Sequence, residues 1–208
     1  MCPSMFGFPC TRRRKLTIAV HKRIPFEKFM KGIPANPLAN FGAPVVAAGD
    51  IYYWSSEADV VTQLDKYIAE GRTSYSGIAI GSFKELLTGL EAKHLREYEK
   101  HIAKDGKARR VHIMDLGQSL SFAKKTRTTI GCLLKRSRWW SHSDQRWLTG
   151  CECLALMGLD KNVCPWLFRC MSETEMVALA GNAFHVPSVG AVFLWLLSSG
   201  QFSVEKKP

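Results

Sequence analysis

From Thr149 onward the chain carries three helix starts in close succession. In "TGCE", Thr149 and Glu152 have the spacing of a capping box, where a hydroxyl accepts from the third backbone N–H and a carboxylate accepts from the first. The helix they open carries Leu154, Ala155 and Met157, and Gly158 stops it. Ser172 and Glu175 repeat the box ahead of "SETEMVALAGNAF", which ends at Gly181 and Asn182. Pro187 suits the first turn of a last helix, with Val189, Val192, Phe193, Leu196 and Leu197 turned inward. Three short helices with fixed ends give the chain a well-defined end.

Earlier elements are read from periodicity. Leu16, Ile18 and Val20 alternate with Lys15, Thr17 and Ala19, the period of a strand. From Ile24 to Trp54, Pro25, Pro34, Pro37, Pro44 and several glycines predict a loop-rich stretch, which places a domain boundary near Lys22 to Pro25. Ser56 caps a helix whose Val60, Val61, Leu64, Tyr67 and Ile68 form one apolar face before Gly71. Ser82 and Glu85 cap the next, with Leu86, Leu87, Leu90, Leu95, Tyr98 and Ile102 at helical spacing up to Asp105 and Gly106.

Charge narrows the class of partner. Twenty-nine Lys and Arg against eighteen Asp and Glu give a net charge of +11 and a pI near 9.5, as expected of a protein that meets a polyanion. Nucleic acid leads, ahead of an anionic membrane surface. The excess is concentrated: no acid occurs between Leu116 and His142, a window holding Lys124, Lys125, Arg127, Lys135, Arg136 and Arg138, then Trp139 and Trp140. Basic side chains neutralise phosphates and aromatic faces stack on unpaired bases, so this mixture suits a nucleic-acid groove. The other reading is a solvated basic loop with two core tryptophans.

The first fifteen residues carry Pro3, Pro9 and four basic residues without an apolar core segment, so no signal peptide is read there. An intracellular setting, nucleus or cytoplasm, is expected. The apolar run "GAVFLWLL" from Gly190 to Leu197 falls short of the roughly 20 residues that cross a bilayer and reads as a core helix, so no membrane partner is assigned. Seven cysteines, an odd number, fit reduced thiols better than disulfides. Cys151, Cys153, Cys164 and Cys170 lack the paired Cys-x-x-Cys of structural zinc sites, and no metal is assigned.

Three stretches, in order, resemble the C-terminal half of the DNA cytosine-5 methyltransferase family. "GFPCTRRRKLTIAV" is similar to motif VIII, Gly-x-Pro-Gln-x-Arg-x-Arg before an apolar strand, with Arg12 and Arg14 at the arginine positions. "RWLTGCECLALMGL" looks like motif IX, with Arg146, Leu148, Thr149, Glu152 and Gly158 in register. "LAGNAFHVPSVGAVFLWLL" resembles motif X, with Gly181, Asn182 and Ala183 on its Gly-Asn-Ala positions. The family's target-recognition domain lies between motifs VIII and IX, where this chain has its acid-free basic window.

The resemblance implies an α/β class, α+β overall: a truncated Rossmann-like sheet of an S-adenosylmethionine-dependent methyltransferase plus a smaller target-recognition domain. Residues 1–23 would end the catalytic domain, 24–145 form the recognition domain, and 146–208 return to the catalytic domain. Arg14 would donate to a flipped cytosine and Arg12 steady the loop or a phosphate. Asn182, with Gly181 and Ala183, would lie near the amino-acid end of S-adenosylmethionine. Arg146 and Glu152 would hold the two domains together. Cys10 stands where motif VIII has Gln, without the Pro-Cys-Gln context of the family's nucleophile, and no Gly-rich cofactor loop or Glu-Asn-Val occurs in the chain. The expected partners are therefore double-stranded DNA and an N-terminal catalytic half, in cis or as a separate chain, which shares the cofactor. The alternative is a catalytically inactive nucleic-acid-binding or regulatory module derived from a methyltransferase.

Overall fold

The computed structural model describes Pro3, Phe8, Cys10, Arg14, Thr17 and residues 55–69, 82–105, 113–119, 121, 130–159 and 161–199. The strand expected over Leu16 to Val20 lies outside these apart from Thr17, which is in no regular element, and so does the proline-rich stretch from Ile24 to Trp54.

A three-stranded antiparallel sheet, β1 (Ile113–Asp115), β2 (Trp139–Ser141) and β3 (Arg146–Trp147), is the middle layer, with β2 in the centre. Met114 pairs with Trp140, which pairs in turn with Trp147, while Asp115 faces Trp139 and Ser141 faces Arg146. All eight strand residues are buried, because both faces of the sheet are covered. Alternation along each strand sends neighbours to opposite sides. Met114, Trp140 and Trp147 enter one core with Phe83, Leu86, Leu95 and Tyr98. Ile113 and Trp139 enter the other with Leu148, Cys153, Leu154, Met176 and Ala180. The expected domain boundary between Gln145 and Arg146 falls within the β2–β3 hairpin.

On the first face lie α1 (Glu57–Ala69), a 3-10 turn (Phe83–Leu86) and α2 (Gly89–Asp105). Ser56 caps α1 as expected: its Oγ accepts from Asp59 N–H at 3.3 Å, and its own N–H donates to Asp59 at 3.1 Å. Val60 and Leu64 pack against the core, whereas Val61 and Ile68 of the expected apolar face are exposed. The start of α2 is shifted from its predicted place. Ser82 makes no side-chain cap and precedes only the 3-10 turn, after which Leu87 turns extended with ψ 133°. The working box is Thr88 with Glu91: Glu91 N–H donates to the hydroxyl at 3.2 Å and Thr88 N–H to the carboxylate at 2.9 Å. The later start turns Leu90 out to solvent and leaves Glu91, His94, Leu95 and Tyr98 along the buried side.

Across the sheet lie α3 (Gly150–Ala155), α4 (Pro165–Cys170), α5 (Glu173–Asn182) and α6 (Val186–Ser199). The Thr149/Glu152 and Ser172/Glu175 boxes both form as read from sequence. Gly158 ends α3 with φ +78° while Leu159 N–H reaches back to Leu154 at 3.0 Å, the hydrogen-bond pattern of a Schellman motif. Any β-carbon there would also overlap the ring of Pro187. At Gly150, a β-carbon would sit 2.6 Å from that of Met176, so glycine lets α3 and α5 close on each other. In α6, Val192 is buried, but Phe193 and Leu197, predicted to turn inward, are 60% and 63% exposed. The helix packs through Ala191 and Val192, an arc too narrow to cover them.

The mixed α/β class holds among the described residues as helices on both faces of a small antiparallel sheet. No single helix among them is long and apolar enough to cross a membrane.

Candidate nucleic-acid interface

Within the described part of the basic window, Leu134 to Arg138 form a tight turn fastened from two sides. Ser137 N–H donates to Leu134 O at 3.1 Å, and Leu134 N–H donates to the Ser137 hydroxyl at 2.9 Å. Buried Asp115, the last acid before the window, accepts from Arg138 N–H at 2.8 Å and Gly117 N–H at 3.0 Å. From the other side comes Gly181 of α5, where a β-carbon would overlap the Leu134 and Lys135 backbone. Gly181, expected at a cofactor, is consumed by this packing.

The turn presents its cations unequally. Lys135 and Arg136 are exposed, and among the described residues neither has an ion-pair partner. Arg138 is half-buried: its Nε is 3.3 Å from Glu91 Oε1, and its guanidinium lies 4.7 Å from the centre of the Trp147 ring. It therefore holds α2 to the sheet as much as it faces outward. Trp139 and Trp140 depart from the stacking role predicted for them. They are 7% and 0% exposed, and Trp140 meets Trp147 edge to face at 5.5 Å, so neither offers a free ring face to a base.

Beneath the turn is a pocket of about 200 Å³. It is lined by Lys135, Arg136, Ser137 and Arg138 of the turn, by Glu173, Thr174 and Val177 of α5, and by the buried Trp139, Trp147, Leu148 and Cys153. Glu173 Oε2 accepts from Gly150 N–H at 2.5 Å and from Gln63 Nε2 at 3.2 Å. Burial raises its carboxyl above the usual range, against the hydrogen bond from Gly150 and the attraction of Lys66. Burial also pushes the Cys153 thiol up, and Cys151 up to about 11, with nearby carboxylates adding to both. Both stay protonated at neutral pH and are poor nucleophiles.

Arg146 and Glu152 form the anchor beside the pocket. Nη1 is 2.9 Å from Oε2 and Nη2 2.8 Å from Oε1, and Nη1 also donates to Trp147 O at 3.0 Å. Burial pulls the guanidinium pKa down, but the hydrogen bonds and charge of Glu152 outweigh it and raise the pKa overall. Glu152 further accepts from Ser55 N–H at 2.7 Å and Thr149 N–H at 2.8 Å.

The other predicted residues are spread out. Arg14 is exposed, in no regular element, and Arg12, Lys124, Lys125 and Arg127 lie outside the described residues. Asn182 ends α5 with its side chain exposed, and Ala183 N–H donates to Leu179 O at 2.7 Å. Cys10 is 2% exposed, its thiol 3.4 Å from Leu156 O inside the core. Among the described residues no cluster of His, Cys, Asp or Glu is placed to hold a metal ion. The sequence reading missed Glu173, Thr174, Ser137 and Glu91. Only Glu91 had a visible signal, because "TGLE" has capping-box spacing.

No protein-family model matches this chain, and no curated protein matches it.

Proposed function

We propose that the chain is the C-terminal portion of a DNA cytosine-5 methyltransferase, which binds double-stranded DNA and completes, with an N-terminal catalytic half in cis or as a separate chain, a site for methyl transfer to cytosine. The observation that carries this reading is the rigid Leu134–Arg138 turn. It leaves Lys135 and Arg136 exposed one strand ahead of the motif IX stretch, and is braced by Gly181 of the motif X stretch. A backbone fastened in this way presents the two cations from a defined place, and only their side chains are left to order on a phosphate.

Arg146 and Glu152 act as the weld between the hairpin and α3, a positioning role without substrate contact. In this reading Arg14 donates hydrogen bonds to the ring of the flipped base, and Arg12 steadies the loop or a phosphate. S-adenosylmethionine, when bound, supplies the methyl group. Asn182 fits one end of it, since its exposed amide can pair with a carboxylate or an ammonium, whereas buried Gly181 does not. The exposed Phe193, Leu194 and Leu197 of α6 favour a half awaiting its catalytic partner over a self-sufficient module.

Duplex binding followed by fluorescence anisotropy from low to moderate salt tests the reading. A log-log slope of several units is expected. Affinity that stays flat with salt overturns the phosphate contacts, and methyl incorporation by the chain alone overturns the need for a partner.

A further inference from the structure

We propose that the pocket under the Lys135–Arg138 turn is a site for a terminal phosphate, either the monoester at the 5′ end of a DNA strand or inorganic phosphate itself, held at the mouth by Lys135, Arg136 and Thr174. The strand-end source rests on the DNA-binding reading above, whereas the phosphate site stands on the pocket alone.

The lining is rich in donors and poor in acceptors. Lys135 and Arg136 are exposed and have no ion-pair partner among the described residues. Thr174 is exposed too, second in α5 and outside the Ser172/Glu175 box. That box takes the Glu175 N–H, while the N–H groups of Glu173 and Thr174 precede the first carbonyl the helix could offer them. The positive end of α5 therefore opens on the same mouth. Ser137, whose hydroxyl oxygen already accepts from Leu134 N–H, keeps its proton for an acceptor. Trp139 lines the pocket as well, and its indole N–H is buried with no acceptor among the described residues. Buried donors are nearly always paired, and an oxyanion supplies the oxygen.

Charge selects the kind of phosphate. A backbone diester carries one negative charge and two free oxygens, whereas a monoester carries about −1.5 to −2 at neutral pH and three acceptor oxygens. Lys135 and Arg136 together match the second. Glu173 is the single acid in the lining, and its charge is drawn inward by Gly150 N–H, Gln63 and Lys66. Such a ligand needs no apolar face, so Trp147, Leu148 and Cys153 only close the pocket behind it.

The test uses the full 208-residue chain, inorganic phosphate in calorimetry, and two 3′-labelled duplexes that differ only in a 5′-phosphate or a 5′-hydroxyl. Inorganic phosphate should bind, and the 5′-phosphate duplex should bind about tenfold tighter than its hydroxyl twin, the effect of one charge-assisted hydrogen bond. Thr174→Asp, an acid that suits the first turn of α5, should abolish both while the chain stays folded. Phosphate binding with equal affinity for the two duplexes overturns the strand-end source and leaves free phosphate as the ligand. Equal duplex affinities with no binding of inorganic phosphate overturn the pocket and leave DNA binding intact. Unchanged phosphate binding in Thr174→Asp overturns the placement at α5. A chain that takes inorganic phosphate but neither duplex overturns the DNA reading alone.

Discussion

Arg146 and Glu152 face each other with both guanidinium nitrogens on both carboxylate oxygens, at 2.9 and 2.8 Å, and both residues are almost wholly buried. The same carboxylate closes the N-terminus of α3 and takes the Ser55 N–H. One side chain thus ties the hairpin, α3 and the approach to α1 together.

Removing one partner leaves a buried charge without its counter-charge. Glu152→Gln should cost about 3–5 kcal/mol in urea unfolding. A cost below ~1 kcal/mol would show that the pair is dispensable to the fold.

Gly181 braces the cationic turn, and Gly181→Ala should disturb both. Its methyl must displace the Leu134–Lys135 backbone, at a cost of about 1–3 kcal/mol, and the moved turn should weaken duplex binding. An alanine variant with unchanged stability and DNA affinity would separate the turn from α5.

Lys135 and Arg136 are the exposed cations of the turn, and the proposed reading puts phosphates on them. In Lys135→Gln/Arg136→Gln, the salt slope of duplex binding should fall in magnitude by about 2, near 0.9 for each phosphate released. An unchanged slope in anisotropy titrations would move binding elsewhere on the surface.

His185 caps α6: Ser188 N–H donates to Nδ1 at 3.2 Å, and the ring meets Phe8 edge to face at 4.3 Å. Burial lowers its pKa from 6.5 to about 4, so the folded state favours the neutral ring. The unfolded chain takes up this proton first on acidification. The stability linked to the neutral ring is therefore complete above about pH 6.5 and is lost as pH falls toward 4. His185→Asn keeps a cap and should flatten this dependence, measured as the difference in unfolding free energy between the two proteins across that window. Parallel pH profiles would remove the assignment to His185.

Local signals in the sequence survived folding where the interaction itself is local. The Thr149/Glu152 and Ser172/Glu175 boxes and the Gly158 stop each complete within a few residues, and all stand where the sequence puts them. Ser82/Glu85 and Thr88/Glu91 have the same spacing, and nothing local ranks them. Glu91 also meets Arg138, a partner far along the chain. The tryptophans were ambiguous for a similar reason. Trp139 and Trp140 read either as a stacking platform, because they close an acid-free basic window, or as core; as adjacent strand residues they point opposite ways, and nothing in the sequence says that both sides are covered. The pocket was not legible at all, since Glu173 and the basic turn meet only through the docking of α5 on Leu134 and Lys135.

The two neighbouring tryptophans make the hairpin a ruler for its own lineage. Because Trp140 pairs with Trp147 in one core while Trp139 enters the other, a residue added or lost between Trp140 and Trp147 that slips β3 by one place would turn Trp147 into the wrong core. Length changes among descendants of this sequence should therefore collect in the connections outside 139–147, with that nine-residue interval fixed even where its letters drift.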